Sequence, residues 1–101
     1  MIIYNVTIKI DAGVESEWLE WMKNKHIPDV INTRQFSGSR ISKLLDQPED
    51  EDPTYIIQYN CESIEKYNHY INTFAAALRD EYNSLFKNKY VAFRTVMEVM
   101  G

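Results

Sequence analysis

The spacing of apolar residues predicts an α+β fold with the element order β-α-β-β-α-β. Residues 2 to 10 alternate between apolar and mixed positions, and residues 64 to 85 carry apolar side chains every three or four positions. A shorter helical pattern lies between residues 14 and 31. This order is that of the ferredoxin-like fold, in which two helices cover one face of a four-stranded antiparallel sheet. We expect one such domain spanning residues 1–101.

The first strand and the first helix are predicted from the beginning of the chain. Helix 1 is expected to begin near Val14, since Glu15 and Glu17 place carboxylates in the first turn, where the helix dipole favours negative charge. Pro28 lacks an amide donor, so we expect the helix to break there, with room for one further turn through Ile31. The core-facing positions of strand 1 are Ile2, Tyr4, Val6, Ile8 and Ile10.

Three more strands are predicted in the rest of the chain. Strand 2 is expected over residues 36–45, and strand 3 over residues 54–61, with an acidic loop carrying two prolines between them. The last strand is expected over residues 91–100. The positions that alternation assigns to the core are Tyr55, Ile57, Tyr59 and Cys61 in strand 3, and Val91, Phe93, Met97 and Val99 in strand 4.

One long second helix is predicted between strands 3 and 4. Ser63 is a suitable N-cap, because its hydroxyl can accept a hydrogen bond from a free backbone amide of the first turn. The apolar stripe that defines this helix consists of Ile64, Tyr67, Ile71, Phe74, Ala75, Leu78, Tyr82 and Leu85.

The sheet face away from the helices is predicted to be half-buried. A solvent-facing sheet would carry more Lys and Glu, and a face buried in a monomer core would carry no arginine. We therefore expect a homodimer through this helix-free face, as in a dimeric α+β barrel. An RNA-binding sheet of this topology would need exposed aromatic residues on its central strands, and alternation places none there. The residues assigned to this face are Ile3, Asn5, Thr7, Lys9, Arg40, Ser42, Leu44, Ile56, Gln58, Asn60, Ala92, Arg94, Val96 and Glu98.

Composition excludes several classes of function. The formal net charge is −4, and no basic stripe is present, so nucleic acid is not an expected partner. Cys61 is the only cysteine, which rules out an intramolecular disulfide. The N-terminus has neither a basic leader nor a long apolar run, and no stretch approaches the ~20 apolar residues of a membrane span. We expect a cytoplasmic protein without a membrane partner.

The most informative segment is WLEWMKNKHIPD, residues 18–29. Trp18 and Trp21 fall on one face of the predicted helix, and His26 lies at the predicted break before Pro28. An imidazole beside an aromatic wall is one way to build a small-molecule cleft, and His26 can act as an acid or a base near neutral pH. The structural alternatives are that His26 bonds a free carbonyl at the helix end and that both tryptophans belong to the core.

Arg40 and Arg94 form a second candidate site, since a guanidinium fork suits planar anions such as carboxylates and phosphates. The alternative is an ion pair, with Glu98 or across a dimer axis. The acidic loop 46–52 lacks the central glycine and terminal glutamate of a calcium-binding loop, so we expect no metal site. No phosphate-binding glycine loop or nucleophile elbow is visible, and no cofactor is expected.

Several segments together resemble a bacterial family of uncharacterised proteins, DUF4286, over essentially the whole chain. The resemblance implies a fold similar to the dimeric α+β barrel proteins. Arg34 departs from the family pattern, because a glycine is expected in the turn Thr-x-x-Phe. The segments are MIIYNVT at residues 1–7, WLEWM running into HIPD at residues 18–29, residues 55–59, residues 77–79, and residues 92–95 followed by Glu98.

The spacing Trp21-x4-His26-x-Pro28 also resembles that of EthD-like proteins. These proteins, and sugar mutarotases of the same architecture, bind small organic molecules between sheet and helices, often without a cofactor. The resemblance therefore implies a small-molecule site near His26.

Three functions stay open on the sequence. The leading interpretation is a dimer that binds a small organic ligand. The second is a cofactor-free enzyme, of mutarotase, isomerase, dehydratase or monooxygenase type, with His26 as acid or base. The third is a purely structural or regulatory homodimer, which is favoured if Trp18, Trp21 and Phe93 fill the space between helix 1 and the sheet. The neighbours expected around His26 in an enzyme are Asp29, Tyr4, Tyr59, Trp18 and Trp21.

Overall fold

The computed structural model describes residues 1–101 and contains one four-stranded antiparallel sheet with the helices on one face. The strands are β1 (Ile2–Ile10), β2 (Gly38–Lys43), β3 (Thr54–Cys61) and β4 (Tyr90–Glu98). Their order across the sheet is β2-β3-β1-β4, so β1 and β3 are central. The ferredoxin-like α+β fold predicted from the sequence is confirmed.

The first helical segment is continuous through Pro28, so the predicted break is wrong. Helix α1 (Glu15–Trp21) leads into a π-helical turn over Met22–His26 and then into α2 (Ile27–Asn32). The amide of Ile27 donates to the carbonyl of Met22, five residues earlier. This wider turn places Pro28 at the start of α2, where a missing amide donor costs little. Such π turns are frequent at functional sites, and this one ends at His26.

The second predicted helix is two helices, α3 (Ile64–Thr73) and α4 (Ala75–Phe86). The predicted N-cap is confirmed, since Ser63 Oγ accepts a hydrogen bond from the Lys66 amide at 3.2 Å. Phe74, with φ of −114°, separates the two helices and changes the phase of the apolar stripe. Ile64 and Leu85 are exposed, contrary to the prediction, whereas Tyr82 is buried as predicted. Tyr70 and Phe86, which are outside the predicted stripe, are buried as well.

The predicted orientation of β4 is inverted. Tyr4 pairs with Val96, Val6 with Arg94 and Ile8 with Ala92, and directly paired residues share a face. Arg94 therefore lies on the helix-covered face, together with Ala92, Val96 and Glu98. Alternation could not decide this point, because β4 carries apolar residues at both sets of positions. Val91 and Phe93, which the sequence placed in the core, are 61% and 67% exposed on the helix-free face.

The core is formed by 18 buried residues, none of them charged, between the helices and the sheet. All five predicted core positions of β1 are buried, and so are all four of β3. The buried members contributed by the helices and the α2–β2 turn are Trp18, Met22, Ile27, Val30, Phe36, Tyr70, Ala75, Tyr82 and Phe86. None of the helices combines the length and apolar character that crossing a membrane would require.

Candidate small-molecule site

A cavity of about 40 Å³ lies between the helices and the covered face of the sheet. A space of this size holds about three water molecules. Six of the 14 residues that line it are aliphatic or Met, such as Val30 of α2 and Leu78 of α4. The polar or titratable residues that line it are Tyr4, His26, Tyr59, Tyr70, Arg79, Tyr82, Tyr90 and Arg94.

His26 lies at the end of the π turn and is held by aromatic contacts. Its ring stacks on Trp21 with centroids 5.1 Å apart, and it meets the edge of Tyr82 at 5.3 Å. Its Nδ1 atom is buried and has no hydrogen-bond partner. The alternative in which His26 bonds a backbone carbonyl is therefore absent from the structure. The side chain is positioned by ring packing, and one ring nitrogen is left unpaired.

The charge state of His26 follows from its burial. Removal of the ring from water lowers its pKa from 6.5 to about 4, which keeps the imidazole neutral at physiological pH. The Asp29 carboxylate opposes this shift, whereas the positive charges of Arg94 and Lys25 add to it. Asp29 does not line the cavity, because it forms an ion pair with Lys25 on the outside of the helix.

The two tryptophans occupy different environments, and neither lines the cavity. Trp18 is fully buried and donates a hydrogen bond from Nε1 to the Tyr82 hydroxyl at 2.5 Å. Trp21 is half-buried and stacks on the His26 ring, and its own ring lies 5.4 Å from Phe86. Trp18 is thus a core residue, and Trp21 is a support for the His26 ring.

Tyrosines from the sheet and from α3 form one wall of the cavity. Tyr4 and Tyr59 are paired across β1 and β3, with ring centroids 5.8 Å apart, and Tyr70 lies 6.1 Å from Tyr4. Burial raises the pKa of Tyr59 and of Tyr70, so both remain neutral phenols that can donate a hydrogen bond. Among the five tyrosines that line the cavity, the hydroxyls of Tyr4, Tyr82 and Tyr90 have a protein partner, which leaves those of Tyr59 and Tyr70 free.

Two arginines line the cavity, but they are not the predicted pair. Arg94 is present because of the corrected orientation of β4, and Arg79 comes from α4. Arg79 Nη2 donates to the Tyr4 hydroxyl at 3.5 Å. Arg40 lies on the opposite face of the sheet, paired with Gln58, so Arg40 and Arg94 do not clamp one ligand. The expected ion pair between Arg94 and Glu98 is also absent.

Sequence reasoning missed Arg79, although a signal for it exists. Arg79 follows Ala75 by four residues and precedes Tyr82 by three, so it lies within the buried stripe of α4. A charged residue inside such a stripe faces the sheet and not the solvent.

No group of three or more His, Cys, Asp or Glu residues lies close enough together to hold a metal ion.

The arrangement combines a neutral imidazole, free phenol donors and guanidinium groups around a small, otherwise apolar space. Together, the fold and this cavity define a ferredoxin-like α+β protein with a candidate small-molecule site between helices and sheet. The chain belongs to the family described as Domain of unknown function (DUF4286), which matches residues 1–100. A comparison with curated protein sequences finds no match.

Solved structures similar to this chain share its fold at low identity. An EthD-family protein from Bacillus halodurans superimposes with a TM-score of 0.74 at 12% identity, covering 99% of this chain and 100% of that one. SnoaB from Streptomyces nogalater, described as a cofactor-independent oxygenase, gives 0.70 at 9% identity and covers 99% and 94%. A dimeric ferredoxin-like protein from an uncultured marine organism gives 0.64 at 10% identity and covers 97% and 96%.

Proposed function

We propose that this protein is a homodimer in which each subunit binds a small organic molecule in the cavity beside His26. The observation that carries the proposal is the unsatisfied polar lining. Buried polar groups normally have hydrogen-bond partners, yet the buried His26 Nδ1 has none. The Tyr59 and Tyr70 hydroxyls, which are not fully buried, also have no partner within the protein. A ligand that hydrogen-bonds to these groups would relieve that deficit.

The size of the cavity limits the ligand. At about 40 Å³ the enclosed space accepts only a compact group, so a larger molecule would project from the opening or displace a side chain. Arg94 is exposed and can move at little cost. The structural neighbours support the general idea, because SnoaB, a cofactor-independent oxygenase by description, has the same fold.

A thermal-shift screen against sugars, carboxylates, phenols and flavin-like compounds tests the proposal. Free ligand at 100 times its Kd stabilises the folded state by about 2.7 kcal/mol, which is readily visible in a domain of this size. His26→Ala is expected to abolish the shift. The matched control is His69→Ala, since His69 is exposed on α3 away from the cavity and its loss should leave the shift unchanged. A library without a single hit would contradict the proposal.

The homodimer is proposed through the face of the sheet that carries no helices. Phe93 and Val91 are 67% and 61% exposed on this face, and Met97 is 41% exposed. Contiguous exposed apolar side chains of this kind mark interaction sites, and a two-fold axis lets the same patch cover itself. One solved neighbour is described as dimeric. Light scattering at micromolar concentration should give twice the chain mass of 11.9 kDa, and a mass of one chain would contradict this part.

A second candidate function is cofactor-free proton transfer by His26. It is favoured by the unpaired ring nitrogen at the end of a π turn, because that nitrogen is free to accept a proton from a bound substrate. The test is to incubate each screening hit with the protein in D₂O and to follow proton exchange by NMR. Exchange with the wild type and not with His26→Ala would establish an enzyme. If the bound compounds exchange no protons, the protein binds ligands without catalysis. If no compound in the library binds, a structural or regulatory dimer is favoured.

A further inference from the structure

We propose that the cavity is selective for organic carboxylates, whose negative group is held between Arg79 and Arg94. This inference rests on the proposed binding function and adds to it the chemical class of the ligand. Arg79 and Arg94 reach the same cavity from different layers of the fold, one from α4 and one from β4. Two guanidinium forks that converge in this way suit the planar, bidentate geometry of a carboxylate.

Neither guanidinium is neutralised by the protein itself. All ion pairs in the structure are made by lysines, and none involves Arg79 or Arg94. No residue lining the cavity is acidic. Asp29 and Glu81, on the helices that border the cavity, both form ion pairs with Lys25; Glu81 does so at 3.6 Å, and its Oε1 has no hydrogen-bond partner. The cavity therefore has an excess of positive charge that an anionic ligand would neutralise.

The two positive charges act on the same part of the cavity. Burial is the main influence on Tyr67 and Tyr70 and raises the pKa of each, but Arg79 and Arg94 both oppose it through their positive charge. The two guanidiniums thus lie within electrostatic reach of the same two hydroxyls. Like charges that lie near each other repel, and an anion bound between the two guanidiniums would offset that repulsion.

The rest of the cavity specifies the part of the ligand that carries no charge. Val30 and Leu78 provide an apolar surface, while Tyr59 and Tyr70 offer free hydroxyls to a carbonyl or ether oxygen. Arg94 is exposed, so the charged end of the ligand lies toward the opening and the apolar end points inward. This orientation fits a compact carboxylic acid with a short aliphatic or aromatic body.

The test compares acids with neutral compounds of the same shape. Benzoate is paired with benzamide, and isobutyrate with isobutyramide. Binding is followed by NMR through the methyl signals of Val30 and Leu78, which line the cavity. Hydrogen bonds to charged groups contribute enough that each acid should bind about tenfold or more tightly than its amide. Arg94→Gln should reduce the affinity for the acid to that for the amide.

Arg40→Gln is the matched control, because Arg40 lies on the opposite face of the sheet and should leave acid binding unchanged. Arg79→Gln should act like Arg94→Gln. If loss of the hydrogen bond to Tyr4 prevents Arg79→Gln from folding, the exposed Arg94 still provides the test. Amides that bind as tightly as acids, or acid binding that survives Arg94→Gln, would overturn the carboxylate inference while leaving the binding function intact. If the methyl signals respond to none of the four compounds at about 1 mM or above, the carboxylate inference is overturned. Hits among the other compounds of the thermal-shift screen would then show that the protein still binds a small molecule.

Discussion

Phe93→Ser should dissociate the proposed homodimer without unfolding the subunit. Phe93 is 67% exposed in the isolated chain, so its replacement removes little from the core. A phenylalanine side chain can bury on the order of 200 Å², which makes the exposed part about 130 Å². At about 25 cal/mol per Å², covering this area contributes roughly 3 kcal/mol per subunit. A two-fold interface contains two copies, so the dimer would lose up to about 6 kcal/mol.

A loss of this size raises the dissociation constant by up to roughly 10⁴-fold. Sedimentation equilibrium over a wide concentration range measures it, and circular dichroism checks that the variant remains folded. Leu85→Ser is the control, because Leu85 is 55% exposed on α4, in the helix layer, and its loss should leave the dimer intact. A Phe93→Ser protein that dimerises as tightly as the wild type would refute the assignment of this face.

Three further predictions concern stability. Arg34 has φ of 66°, a left-handed conformation that disfavours residues with a side chain. Arg34→Gly should therefore raise the free energy of unfolding by about 1 kcal/mol. An unchanged free energy of unfolding in urea denaturation would contradict this prediction. Trp18→Phe should cost about 1–3 kcal/mol, because the buried Tyr82 hydroxyl loses its donor, and an unchanged melting temperature would argue against that hydrogen bond. Since His26 titrates near 6.5 when unfolded and near 4 when folded, the unfolded state binds more protons between these values, and the free energy of unfolding should fall as pH is lowered through that window. Urea titrations at several pH values should show that His26→Gln removes this part of the pH dependence. If the free energy of unfolding of the variant depends on pH as steeply as that of the wild type, the burial of His26 would be contradicted.

Much of the fold was predictable because strict alternation allows one interpretation. In β1 every position on one side is apolar, and Ile3 is the only aliphatic residue on the other side, so Ile2, Tyr4, Val6, Ile8 and Ile10 could be assigned to the core. In β4 both sides are apolar, and only the pairing of Val6 with Arg94 fixes which side meets the helices. That single register moved Phe93 from the predicted core to the open face. It also brought Arg94 from the open face into the cavity.

The candidate site was predictable only in part, because it depends on contacts between distant segments. His26, Tyr4 and Tyr59 were selected from the sequence and do line the cavity. Arg79 was not selected, since an apolar stripe gives no weight to a charged residue within it. The π turn could not be predicted either, because Pro28 alone indicates a break, and the alternative of shifting one hydrogen bond to Met22 depends on packing around the turn.

Chemical-shift mapping with the first compound that stabilises the wild type is the most direct test of the account. Backbone and side-chain signals would be followed while the compound is titrated into the protein. We expect the largest changes at the cavity, in His26, Leu78, Arg79 and Arg94, which come together only in the folded chain. Changes centred on the open sheet face around Arg40 and Phe93, with the cavity signals unmoved, would show that the ligand binds elsewhere and would contradict the central claim.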